Sequence, residues 1–82
     1  FIISPKYEEI TWALNHELNR GATLIEGEGG YTHKHTKMIM VVCNNRETPA
    51  VMKHVREIDP NAFMTVASVM GVYGQGFQPI KL

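Results

Sequence analysis

The chain has 82 residues, 44% of them hydrophobic and 20% charged, with eight basic side chains balanced by eight acidic ones. That length makes a single domain and the composition excludes global disorder, while a formal net charge of zero excludes a polyanion such as nucleic acid as the natural partner. A chain this short buries only about 60–65% of the surface its unfolded form exposes, so its core is thin and association with copies of itself would help stability.

Phe1-Ile2-Ile3-Ser4 reads as a short strand running into a helix. Ser4 is placed as N-cap and Pro5 at the first helical position, with Glu8 and Glu9 near the positive end of the helix dipole. Tyr7, Ile10, Leu14 and Leu18 recur at spacings of three and four and give the helix one apolar stripe. Asn19-Arg20-Gly21 closes it, with Gly21 expected in the left-handed conformation past the C-terminus. Trp12 lies off the stripe, either as an exposed contact or as packing over the sheet edge.

A strand is expected over Ala22–Glu26 and a second over Thr36–Cys43, apolar at its centre as a middle strand should be. The connection, which contains Gly27-Glu28-Gly29-Gly30-Tyr31-Thr32, is too short for a crossover helix, so the pair is expected to be antiparallel. Thr48-Pro49 repeats the helix-start signal; Val51, Val55 and Ile58 form the second stripe, and Asp59-Pro60 stops the helix. Ala62–Val69 alternates as a last strand, and Gly71–Leu82 is read as a tail, loop or short extra strand. The sum is β-α-β-β-α-β over residues 1–82, an α+β ferredoxin-like fold with both helices on one face of an antiparallel sheet. The other face is left bare, and its Met and Val side chains call for a cover.

Few residues point to chemistry. The glycines of Gly27–Thr32 can present successive N–H groups to an anion, although by composition alone a plain hairpin turn is the better reading, and no helix follows to complete a phosphate site. Gly74-Gln75-Gly76-Phe77 is a ligand loop or a tail that tucks Phe77 onto the sheet. Arg20 is an anion grip or ordinary compensation of a helix C-terminus. His33 and His35 share one side of an extended segment, but zinc usually takes at least three protein ligands, so they are read as a solvated loop. Cys43, the single cysteine, is read as a small core hydrophobe, which fits a reducing compartment. No nucleophile–base pair can be nominated, so an enzyme is not expected, and no catalytic residue, cofactor or metal is assigned. No stretch reaches the ~18–20 apolar residues that span a bilayer, and the abrupt start at Phe1 suggests a piece excised from a longer chain.

Four motifs stand in register: Arg20-Gly21-Ala22-Thr23, Gly27-Glu28-Gly29-Gly30-Tyr31-Thr32, Ile58-Asp59-Pro60-Asn61-Ala62-Phe63 and Gly74-Gln75-Gly76-Phe77. Across nearly its whole length the chain thereby resembles the C-terminal domain of the YitT family of bacterial membrane proteins, a domain of unknown function similar in fold to the PII-like group. The resemblance implies a domain on the cytoplasmic face of the plasma membrane, attached to the transmembrane part of its parent chain. It also implies a homo-oligomer such as a trimer, with small molecules bound between subunits. A nucleotide or other small anion would suit Arg20, Gly27, Gly29, Gly30, Tyr31, Thr32, Gly74, Gly76 and Phe77. The family pattern does not include His33-Lys34-His35. A purely structural oligomerisation module and a metal-binding module are the alternatives.

Overall fold

The computed structural model describes residues 1–73. Its elements are β1 (Ile2–Ile3), α1 (Tyr7–His16), β2 (Ala22–Glu28), β3 (His35–Val41), α2 (Thr48–Ile58) and β4 (Phe63–Met64). The sheet order is β2-β3-β1-β4 and every neighbouring pair is antiparallel. β1 and β2 are therefore parallel to each other with β3 between them, which is the split βαβ unit of a ferredoxin-like fold.

Register decides which side chains meet the helices. Ile2 lies opposite Ile39 and Met64, and Leu24 opposite Ile39. Cross-strand partners share a face, and on this face Ile2 and Ile39 join Ile10, Leu14, Val51 and Val55 in one buried cluster. The apolar stripes of both helices thus fall on the same side of the sheet. His54 Nε2 lies 3.0 Å from Glu17 Oε2, tying α2 to α1 outside the core.

Several element ends differ from the sequence reading. α1 begins at Tyr7, three residues after Ser4. The Ser4 hydroxyl accepts the Lys6 N–H at 3.0 Å and donates to Asp59 Oδ2 at 2.5 Å, so it caps the turn that leads into the helix. Asp59 Oδ1 accepts the Asn61 N–H at 2.9 Å, and the buried Ser4–Asp59 pair clamps the end of α2 to the start of α1. Beyond α1 the left-handed residue is Asn19 (φ 53°) and not Gly21, with the Arg20 N–H bonded to the Leu14 carbonyl at 2.9 Å. Asn tolerates that conformation because its short polar side chain bonds locally.

α2 ends at Ile58 as expected, with Asp59 extended before Pro60. Its start holds a device unnoticed in the sequence. Asn44 Oδ1 accepts the Glu47 N–H at 3.1 Å and Glu47 Oε1 accepts the Asn44 N–H at 3.2 Å. This is the reciprocal capping arrangement, one turn ahead of the Thr48-Pro49 signal. β2 continues through Gly27 and Glu28, whose partners are Thr36 and His35, and β3 stops at Val41. β4 holds only Phe63 and Met64 instead of the expected Ala62–Val69; they pair with Ile3 and Ile2, and Phe1 and Thr65 add one more pair of bonds. A strand persists only where a neighbour supplies hydrogen-bond partners.

Candidate functional site

Three surfaces draw together the residues with binding chemistry. The first is the outer face of the sheet. Ile3 lies opposite Met38 and Phe63, Met38 opposite Ile25, and Met40 opposite Thr23. Because side chains alternate, all of these project away from the helices. Ile3 is 39% and Phe63 62% exposed. Among the described residues nothing covers this contiguous row of Ile, Met and Phe, which has the character of an interaction surface.

The second is the hairpin tip between β2 and β3. The Gly29 N–H bonds the Lys34 carbonyl at 2.9 Å, and the His33 N–H bonds the Gly29 carbonyl at 2.8 Å. The left-handed residue of the turn is His33 (φ 58°), not a glycine. A Cβ at Gly29 would lie 2.5 Å from Thr32 Oγ1, so a side chain there would force the threonine to turn away. Among the described residues no acceptor meets the N–H groups of Gly30, Tyr31 and Thr32, and Tyr31 stands 97% exposed at the apex. Those three amides are free to meet an anion. His33 Nδ1 faces Glu28 Oε2 at 3.5 Å. Among the described residues no group of three His, Cys, Asp or Glu side chains comes together that could hold a metal ion.

The third surface lies at the opposite end of the sheet, where β2 begins and β3 ends. Arg20 is held there by Glu47 through two charge-assisted bonds, both 2.5 Å, from Nε to Oε2 and from Nη2 to Oε1. The hydrogen bonds from Arg20 and then from the Asn44 backbone keep the Glu47 carboxyl below the ordinary range, and the same pairing raises Arg20. Next to it, half-buried Cys43 places Sγ 3.7 Å from Thr48 Oγ1. A cavity of about 470 Å³ opens beside these residues, between Val41–Asn45 and Thr65–Val69.

Of the residues expected to hold a ligand, Gly27, Gly29, Gly30, Tyr31 and Thr32 lie together at the hairpin, Gly27 within β2. Arg20 lies at the other end of β2, about 20 Å away at the rise of an antiparallel strand, so one subunit does not bring Arg20 and the hairpin to one ligand. Gly74, Gly76 and Phe77 lie outside the described residues. Trp12 is 58% exposed on α1, its ring 4.8 Å from that of His16. The Arg20–Glu47 pairing spans 27 positions and no local pattern signals it; the Asn44-x-x-Glu47 spacing was readable and marks the same end of α2.

The described residues thus define a small ferredoxin-like domain with one apolar face open and polar loops at both ends of its sheet, and none of its helices is long and apolar enough to cross a membrane. Residues 20–74 match the family described as DUF2179, an uncharacterized protein conserved in bacteria. The chain belongs to this DUF2179 family, the domain it shares with YitT and related proteins. It is 39% identical over 77 residues to an uncharacterized protein of Bacillus sp. (strain PS3), covering 94% of this chain and 51% of that one. It is 34% identical over 80 residues to the UPF0750 membrane protein YxkD of Bacillus subtilis, covering 98% of this chain and 29% of the relative. YitT of the same organism, also a UPF0750 membrane protein, is 30% identical over 73 residues, 89% of this chain and 26% of its own length. The crystal structure of a DUF2179 protein from Eubacterium ventriosum superposes with a TM-score of 0.71 at 33% identity, covering 80% of this chain and 90% of that one. The chain therefore spans about half the length of one relative and less than a third of the membrane proteins.

Proposed function

We propose that this domain is a regulatory module of a bacterial membrane protein, working on the cytoplasmic side as a homo-oligomer that binds a small anionic metabolite or nucleotide between subunits. The observation that carries the reading is the apolar sheet face of Ile3, Ile25, Met38, Met40 and Phe63, which no described residue covers and a second copy would bury. The ligand has support from the free amides of Gly30, Tyr31 and Thr32 at the hairpin. Arg20 and that hairpin stand at opposite ends of β2, so a site using both must be built from two subunits. Relatives that are membrane proteins supply the parent for such a module. A ligand that orders the hairpin in one arrangement of the assembly would favour that arrangement and bias the membrane part.

One observation favours a second reading, in which the domain only oligomerises its parent: Glu47 already occupies the guanidinium of Arg20 with two bonds. A thermal-shift screen with nucleotides and polycarboxylates, run beside light scattering, separates the two. A ligand at about 100 times its Kd stabilises by about 2.7 kcal/mol, about 10–20 °C for a domain of this size. An oligomer with no shift from any compound leaves the structural reading, and a monomer at every concentration overturns both.

A further inference from the structure

The helix layer carries a groove whose apolar ground and charge point to one kind of partner. Ile10, Ala13 and Leu14 are the buried side of α1. Away from them stands Trp12, the single tryptophan, 58% exposed. Glu8 lies four residues before it and Glu9 three, so the three share one stretch of helix surface. A groove of about 460 Å³ runs between this surface and Ile58, the last residue of α2, lined by Trp12, Ala13 and Ile58 with Glu8, Glu9 and Glu17. α1 and its capping residue Glu17 carry those three carboxylates and no Lys or Arg. Glu17 has His54 at 3.0 Å, while among the described residues Glu8 and Glu9 form no ion pair. Lys6, next along the chain, directs its ammonium to the Ile58 carbonyl at 3.2 Å.

We propose that this groove docks a basic peptide segment, which lays an arginine along Trp12 with its guanidinium toward Glu8 and Glu9 and sets an apolar neighbour against Ile58. Each part of the groove has its counterpart in such a segment. An indole ring attracts a cation over its face, carboxylates accept the planar guanidinium fork, and the apolar stem below the charge covers apolar ground. An exposed tryptophan is also the residue type that anchors protein interfaces. The source of the segment rests on the reading of the domain as a cytoplasmic module of a membrane protein: it is a cytoplasmic loop of the membrane-spanning part, since such loops carry an excess of Lys and Arg and relatives of this chain are membrane proteins. The groove and the apolar row of Ile3, Met38 and Phe63 lie on opposite sides of the sheet, so docking and self-association do not compete.

The lone tryptophan makes the test direct, because its fluorescence reports on this groove. The 82-residue protein is titrated with a short acetylated peptide of repeated Leu-Arg-Gly and with its Leu-Lys-Gly and Leu-Glu-Gly counterparts. The arginine peptide is expected to shift the Trp12 emission with a Kd below about 1 mM. The lysine peptide should bind about threefold to tenfold more weakly, because an ammonium neither forks nor stacks, and the glutamate peptide should leave the emission unchanged. Glu8→Gln combined with Glu9→Gln, both exposed, should weaken the arginine peptide about fivefold. Glu26→Gln combined with Glu28→Gln on β2, the same change in net charge elsewhere, should leave its affinity unaltered. Emission that the arginine peptide does not move overturns the proposal, and so does a response to the glutamate peptide. Equal weakening in the two double variants would report net charge alone and overturns it too. A shift that follows protein concentration without peptide puts a second copy in the groove, and a shift on phosphatidylserine vesicles puts a lipid surface there; either overturns it. Peptide binding by a domain that neither associates nor takes a small anion would keep the groove and remove the regulatory reading, so the two fail separately.

Discussion

Two isoleucines placed on opposite faces of the sheet make a paired test of what the outer face is for. Ile39 is fully buried on β3, against Ile2 and Leu24 across the ladder and under both helices. Ile39→Ala removes core volume the surroundings refill only in part, at a cost of about 2–5 kcal/mol. An 82-residue domain has about 4–12 kcal/mol in all, so the variant loses a large fraction of it and its Tm falls by about 10–20 °C or more. That loss is the same at every protein concentration. Ile3 is on the outer face at 39% exposure. In an isolated subunit Ile3→Ala changes stability by less than about 1 kcal/mol, as surface substitutions do. If a second copy covers that face, the change approaches the core value and becomes concentration-dependent, because association stabilises the folded state by mass action. Thermal melts of both variants and the parent at about 2 μM and about 200 μM, where a hundredfold change in partner concentration can contribute about 2.7 kcal/mol, read this directly. An Ile3→Ala deficit that is small and identical at both concentrations refutes the argument that the face is an interface.

The remaining predictions concern the polar clamp and the hairpin. Hydrogen bonds from the Ser4 hydroxyl and then the Asn61 N–H hold the Asp59 carboxyl below the ordinary range, and Glu47 is lowered by Arg20 and Asn44. A carboxyl whose folded pKa is depressed contributes stability that is present above its unfolded pKa of about 4 and lost as pH falls through the folded value. Urea midpoints should accordingly be flat from pH 7 to about pH 5 and drop below about pH 4, and Asp59→Asn should flatten that acid limb; an unchanged limb in the variant would remove Asp59 from the account. Gly29→Ala places a Cβ 2.5 Å from Thr32 Oγ1 and displaces the bond that oxygen accepts from the Lys34 N–H, a loss of about 1 kcal/mol. In a double-mutant cycle Gly29→Ala should cost little further in a Thr32→Ala background, where that bond is already gone, and additive losses would place the strain elsewhere.

Much of the architecture was legible because it rests on local rules. The stripes Ile10/Leu14 and Val51/Val55, the stop at Asp59-Pro60 and the short glycine-bearing connection between β2 and β3 each follow from spacing or from one residue's backbone preference. The errors fell where a partner decides. Gly21 looked like the better left-handed residue, yet the chain reverses two positions earlier at Asn19. Ala62–Val69 had the alternation of a strand, and only Phe63 and Met64 found a neighbour. The candidate anion site was read as one set of residues, while the fold separates Arg20 from the hairpin by the length of β2. Motif order in sequence carries no information on which end of a strand a residue occupies relative to a distant loop.

By itself the sequence determined the element order, the helix faces and the family, since these depend on periodicity and on contiguous motifs. Only the tertiary structure decided that Ile2, Ile39 and Met64 face inward while Ile3, Met38 and Phe63 face outward, because a period-two strand has two possible faces and register against its neighbours selects one. It also decided that Arg20 is held by Glu47. Pairings across 27 and 64 positions are properties of closed geometry, set by where packing brings chain segments and not by the residues beside them in sequence.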